Sequence, residues 1–135
     1  MTAPAGLPAE TLLALARRGL VEACTAATPG ERYAAAHLAA LRAAAAVLAC
    51  RARPSAGRRA RPTSAWVLLA DVAPELGEWA AFFAAGARKR AAAEAGIPSA
   101  ATEREADDLV RDAETFLGVV EASLDTSHQL LLRSG

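Results

Sequence analysis

Helix boundaries are written into this chain as polar punctuation, and that restricts its fold more than any other feature. Thr28-Pro29-Gly30-Glu31 has the form of a capping box with proline at the first helical position. Thr102-Glu103-Arg104-Glu105 is a second box, and Gly96-Ile97-Pro98 supplies a C′ glycine, a hydrophobic C″ residue and a proline stop. Between these signals the apolar residues recur with helical period. The pattern predicts a first helix from Pro8 to about Cys24, with Leu13, Ala16, Leu20 and Cys24 on one face. A long second helix follows the Thr28 box to about Arg53, where Pro54 prevents continuation, and Leu38, Leu41, Ala45 and Leu48 form its stripe. Thr63 or Ser64 caps a short helix carrying Trp66, Leu69 and Ala73. Pro74 interrupts the pattern, and a further helix spans Glu75 to Ala95 with Leu76, Trp79, Phe83 and Gly86 along one side. The last helix has the clearest period: Leu109, Ala113, Phe116, Leu117, Val120 and Leu124 share a face.

Strands have little to build on. The chain holds 38 alanines against three Phe, two Trp and one Tyr, and alanine favours helix over sheet. The fold class is therefore all-α: an up-and-down helical bundle of four main helices plus one short helix. The domain is expected over residues 8–124, interrupted by an arginine-rich loop at 54–63. Residues 1–7 form an N-terminal tail, and a frayed C-terminal tail covers 125–135. A chain of 135 residues makes one core without disulfide or metal staples. Cys24 and Cys50 lack CxxC spacing, so buried thiols are expected rather than a disulfide or a metal site. The N-terminus has no basic, apolar signal pattern, and the alanine stretch 34–50, broken by His37 and Arg42, reads as too weak for a membrane span. A cytoplasmic protein with no membrane contact is the expectation.

Charge is balanced in total and uneven along the chain. Residues 1–67 carry nine Arg against three Glu, a net of +6, while residues 68–135 carry six basic against twelve acidic residues, a net of −6. The plainest consequence is that the two halves neutralise each other inside one bundle, although asymmetry of this kind also hints at partners. Arg51, Arg53, Arg58, Arg59 and Arg61 place five cations in eleven residues with no carboxylate among them. Guanidinium forks pair with phosphates and release counterions, which makes these five the candidate nucleic-acid-binding residues. Arg51 and Arg53 also suit a helix C-terminus through its dipole, and no aromatic side chain in the loop offers a base to stack on. Arg88-Lys89-Arg90 reads as a solvated cluster.

The acidic run Glu103, Glu105, Asp107, Asp108, Asp112 and Glu114 reads as a salt-bridged face, with Arg104–Asp108 and Asp107–Arg111 as i,i+4 pairs. No histidine or cysteine stands at i+3 or i+4 on that helix, so no metal site is expected. His128 lies in the expected tail, and His37 sits on the apolar side of the second helix, where a lone histidine is usually a packed residue bonded to a neighbouring group. No phosphate-cradling glycine loop is present, and no cofactor is expected.

The segment Glu31-Arg32-Tyr33-Ala34-Ala35-Ala36-His37-Leu38 and the residues after it resemble the long helix of HEPN domains (higher eukaryotes and prokaryotes nucleotide-binding). The later order matches too: Ser64-Ala65-Trp66, Pro74-Glu75-Leu76 with Trp79, then Arg104-Glu105-Ala106-Asp107-Asp108-Leu109 and Phe116-Leu117. The likeness spans about residues 8–124, and together these segments look like an uncharacterised actinobacterial HEPN family. It implies a helical bundle, frequent homodimers, and relatives that include RNA-cleaving toxins and partners of nucleotidyltransferases. Active relatives carry arginine, four to six residues, then histidine at the start of the last long helix. Here Arg104 is followed at those positions by Leu109, Val110 and Arg111. Arg32 and His37 fit the bare spacing elsewhere, but five helical residues rotate their side chains about 140° apart.

Three readings follow, in this order. The first is a non-catalytic HEPN-like binding protein with nucleic acid, RNA or DNA, as its leading partner and a homodimer as its expected state. The second is a divergent ribonuclease using Arg32 and His37 as electrostatic and acid–base groups. The third is an adaptor that binds another protein, a nucleotidyltransferase among the candidates, through an alanine-rich face.

Overall fold

The computed structural model describes residues 6–51 and 64–134, with the side chains of 127–131 and 134 outside that description. Of the candidate nucleic-acid residues, Arg53, Arg58, Arg59 and Arg61 therefore lie outside the described residues. Within them every regular element is helical and no strand occurs: α1 (Ala9–Cys24), α2 (Pro29–Arg51), α3 (Ala65–Val72), a 3₁₀ turn (Pro74–Leu76), α4 (Gly77–Ala85), α5 (Ala87–Glu94) and α6 (Glu103–Ser134). Opposed residues give the directions. Glu121 meets Arg17, Phe83 meets His37, and Arg51 meets Ser123 while Arg32 meets Glu103. Thus α1, α2, the α4–α5 arm and α6 alternate up and down, and α2 and α6 run side by side in the same direction at the centre.

The punctuation works as the sequence predicts. The Thr28 hydroxyl accepts the Glu31 amide at 3.1 Å, and Thr102 and Glu105 exchange bonds of 3.0 and 2.9 Å as a reciprocal box. Ser64 caps α3 by accepting the Trp66 amide. Helix α5 ends in a Schellman motif, in which the Ile97 amide reaches the Ala92 carbonyl and the Gly96 amide reaches that of Ala93. Gly96 has φ +82°, a left-handed conformation that only glycine takes without cost.

Four details depart from the sequence pattern. Instead of one helix over 75–95, the arm has a 3₁₀ turn after Pro74 and a break at Gly86. Helix α6 continues to Ser134, well past Leu124 where its apolar stripe ends and a frayed tail was expected. Cys24 and Cys50 are exposed rather than buried. The buried face of α2 is not its leucine stripe but Tyr33, Ala36, His37, Ala40, Ala43, Ala44 and Val47, with Leu38, Leu41, Ala45 and Leu48 on the flanks. Helix α2 is long and apolar enough to cross a membrane by length and composition, so weak hydropathy is no argument against a span. Half of its apolar window is instead buried inside the bundle, as in a core helix. Small side chains let α1 and α6 approach it closely.

All six aromatic residues, scattered along the sequence, converge in space. Ring contacts run from Tyr33 to His37, on to Trp66 and Phe83, and through Phe116 to Trp79 and Phe82. This one cluster joins α2, α3, α4 and α6 and supplies most of the bulky apolar surface that the alanine faces lack.

Candidate functional site

His37 stands where the ribonuclease reading requires an accessible acid or base, and it is only 1% exposed. Its Nε2 lies 2.8 Å from the Phe83 carbonyl oxygen. A carbonyl only accepts, so Nε2 carries the proton and donates. The break at Gly86 opens this position: the Gly86 amide turns back to the same Phe83 carbonyl at 3.0 Å, closing a 3₁₀ turn, and leaves room for the imidazole. Tyr33 stacks on one side of the ring, while Trp66 and Phe83 meet it edge-on. Nδ1 has no partner among the described residues. Burial pushes His37 below the ordinary histidine range, against the Phe83 bond and Glu94, which raise it, and with Arg90, which lowers it further.

The sign of the resulting pH dependence follows from linkage. A histidine depressed in the folded state stabilises the fold fully above its unfolded value of about 6.5 and loses that contribution as pH falls through the folded value. Urea unfolding of the wild type should therefore show lower stability at about pH 5 than at about pH 7. His37→Gln, which keeps a donor for the Phe83 carbonyl but does not titrate, should be much flatter over that range. Equal pH dependence in both proteins would remove His37 as the source.

Gly86 is held by the same cluster. A Cβ built there would lie 2.6 Å from the Tyr33 hydroxyl and 3.5 Å from His37 Cδ2. Tyr33 is buried and stacked on the imidazole, so it has little room to yield. Gly86→Ala should cost about 1–3 kcal/mol. In a Tyr33→Phe background, where the hydroxyl is gone, the cost should shrink, and a double-mutant cycle by thermal unfolding measures the difference.

Arg32 does not converge on His37. Its Nη1 donates to Glu103 and to Asp107, both at 3.0 Å, and the Glu103 bond foremost raises its already high pKa. The acidic run on α6 is thus an exposed, salt-bridged face, as the sequence predicts, with Arg32 and Lys89 reaching it from other helices. Glu105 accepts Lys89 at 3.2 Å, and the Thr102 amide and Lys89 together hold it below the ordinary carboxylate range. Within α6 itself, Asp108 pairs with Arg111 three residues on, in place of the two predicted i,i+4 pairs. Arg51, the one candidate nucleic-acid residue with a described side chain, is also engaged: it donates to Glu75 at 2.5 Å and to Ser123 at 2.9 Å, and its bond holds Glu75 low. Its charge is thus spent inside the bundle. The pairs of Arg17 with Glu121, Arg32 with Glu103 and Asp107, and Arg51 with Glu75 each join an arginine of the basic half to an acid of the acidic half, so among the described residues part of the charge of each half is met by the other. Among the described residues no group of three His, Cys, Asp or Glu side chains is placed to hold a metal ion.

At the start of α6, Arg104 is exposed, Leu109 and Val110 are 5% and 8% exposed, and the order of helices and caps around them is the one expected of the resembled family. The model of the HEPN_SAV_6107-like HEPN family matches residues 23–121. The chain belongs to the HEPN family. No curated protein and no solved structure matches it. Within this HEPN domain, the two nearer positions that would carry a catalytic histidine after Arg104 face the core, where an imidazole would be sealed from substrate. The third, Arg111, is tied to Asp108.

Proposed function

We propose that this HEPN domain acts by binding rather than by cleavage, and that its ligand is nucleic acid held by the arginines between Arg53 and Arg61. HEPN domains are often concerned with nucleic acids, which gives the family-level support. The observation that carries the reading is the density of guanidinium groups in 51–61, with no carboxylate among them. Arg51, bonded to Glu75 and Ser123, leaves the contact set and becomes the anchor from which the segment departs. Absence of cleavage is supported by the sealed His37 and by the lack of a histidine separated from Arg104 by four to six residues, where Leu109, Val110 and Arg111 stand.

Fluorescence anisotropy with labelled single-stranded RNA and duplex DNA over a range of salt tests the binding, and gel analysis of the same RNA tests its integrity. Binding should weaken steeply with salt, and the RNA should stay intact with or without divalent metal. Cleavage that disappears in both Arg32→Ala and His37→Ala would overturn the proposal in favour of a ribonuclease. Binding to neither nucleic acid at low salt would overturn it in favour of a protein-binding role.

A further inference from the structure

A second site lies on the opposite chemistry. Glu78, Trp79 and Phe82 of α4 and Asp112 of α6 line an open pocket of about 300 Å³. Both rings line it, standing at 87° to each other in an edge-on arrangement with centroids 6.4 Å apart. Trp79 is fixed from behind by stacking on Phe83 and by contact with Phe116, while Phe82 is 45% exposed. Apolar surface left open to water as a contiguous patch rimmed by polar residues marks binding sites. Glu78 and Asp112 close the rim, and among the described residues neither has a hydrogen bond or ion pair. Arg111, the nearest cation in sequence to Asp112, turns to Asp108 instead.

The ligand chemistry follows from these lining residues. Aromatic faces attract cations through the ring quadrupole, and most strongly cations that shed water cheaply. Carboxylates that are bound in no ion pair add charge complementarity. A planar guanidinium stacks on one ring, whereas two perpendicular rings suit a rounder head group that presents methyl groups to both. We propose that the Trp79–Phe82–Glu78–Asp112 pocket binds an alkylated ammonium head group, carried either on a small molecule or on a trimethylated lysine side chain. Burial first and the neighbouring Asp108 second raise the Asp112 carboxyl above its ordinary range, against Arg111, which lowers it, and a bound cation would favour its charged form further. The site is independent of the arginine segment, so either proposal can fail alone.

The probes are choline, its neutral carbon isostere 3,3-dimethyl-1-butanol, and a short peptide containing trimethyllysine, each titrated against the intact chain. The change in intrinsic tryptophan fluorescence reports binding, since Trp79 lines the pocket and the buried Trp66 does not. Choline should give a saturable change and bind about tenfold or more tightly than its isostere. Phe82→Ala and Asp112→Asn should each weaken choline by about tenfold while leaving the circular dichroism spectrum unchanged. Preference for the peptide over choline assigns the side-chain source, and the reverse assigns the small molecule. Equal affinity for choline and the isostere, no saturable signal from any cation, or wild-type affinity in both folded variants would each overturn the proposal.

Discussion

Phe116→Ala should destabilise the protein by about 3–5 kcal/mol, measured by urea or thermal unfolding. The ring is fully buried on the central face of α6, and its centroid lies 5.1 Å from Phe83, 5.5 Å from Trp79 and 6.2 Å from Trp66. Truncation removes its transfer free energy and leaves a cavity, and it breaks three ring contacts at once. An alanine-rich bundle is poorly placed to repair this. Its neighbouring helix faces already approach closely, and methyl groups cannot swing into a void as longer side chains do. For a domain whose whole stability is of order 5–15 kcal/mol, the loss is a large fraction. Glu114→Ala, two residues away on the exposed side of the same helix, should cost under about 0.5 kcal/mol. Comparable losses in the two variants would mean that the aromatic cluster repacks freely and does not organise the bundle.

The contrast between those two residues is legible in the sequence because α6 alternates apolar and charged positions with full amplitude. Leu109, Ala113, Phe116, Leu117 and Val120 all fall in the core as their spacing predicts. Helix α2 shows the opposite case. Nearly every position between Ala34 and Ala49 is apolar, so no period stands out, and choosing the larger leucines selects the flank rather than the core. What decides its face is how closely α1 and α6 can approach, which favours alanine over leucine and lies beyond local pattern. The caps were readable for a simpler reason: each one is completed within six residues of chain. The break at Gly86 depends on Tyr33 and His37 across the bundle, and no local signal announces it.

The sites divide along the same line. A lone histidine on an apolar face is expected to be packed and bonded to a neighbouring group, and His37 is. Arg51 stands in an arginine cluster by sequence, yet its partners Glu75 and Ser123 are 24 and 72 residues away. Trp79 is legible as an apolar stripe residue, but its pocket with Phe82 and Asp112 needs two helices to be brought together. Interactions closed by tertiary packing were thus the ones hidden from a reading of spacing.

Replacing Arg53, Arg58, Arg59 and Arg61 together with Gln should weaken nucleic-acid binding and flatten its salt dependence. Each phosphate contact releases counterions, so log K falls with log salt by about 0.9 per contact on duplex DNA and about 0.7 on single strands. Four lost contacts should reduce the slope by about 3–4 units on duplex and by about 3 on single strands. Over a fourfold rise in salt, that difference amounts to a change on the order of a hundredfold in the ratio of wild-type to variant affinity. Sequence preference should hardly change, because phosphate contacts position a protein without reading bases. Arg51 stays unaltered, since removing it would also strip Glu75 and Ser123 of their partner and confuse loss of binding with loss of packing. A matching circular dichroism spectrum separates the two causes in the quadruple variant. If the slope is the same in both proteins, the phosphates are not contacting these four arginines. Whatever binds nucleic acid must then be sought among Arg18, Arg42, Arg88, Arg90, Arg104 and Arg133, which make no ion pair among the described residues.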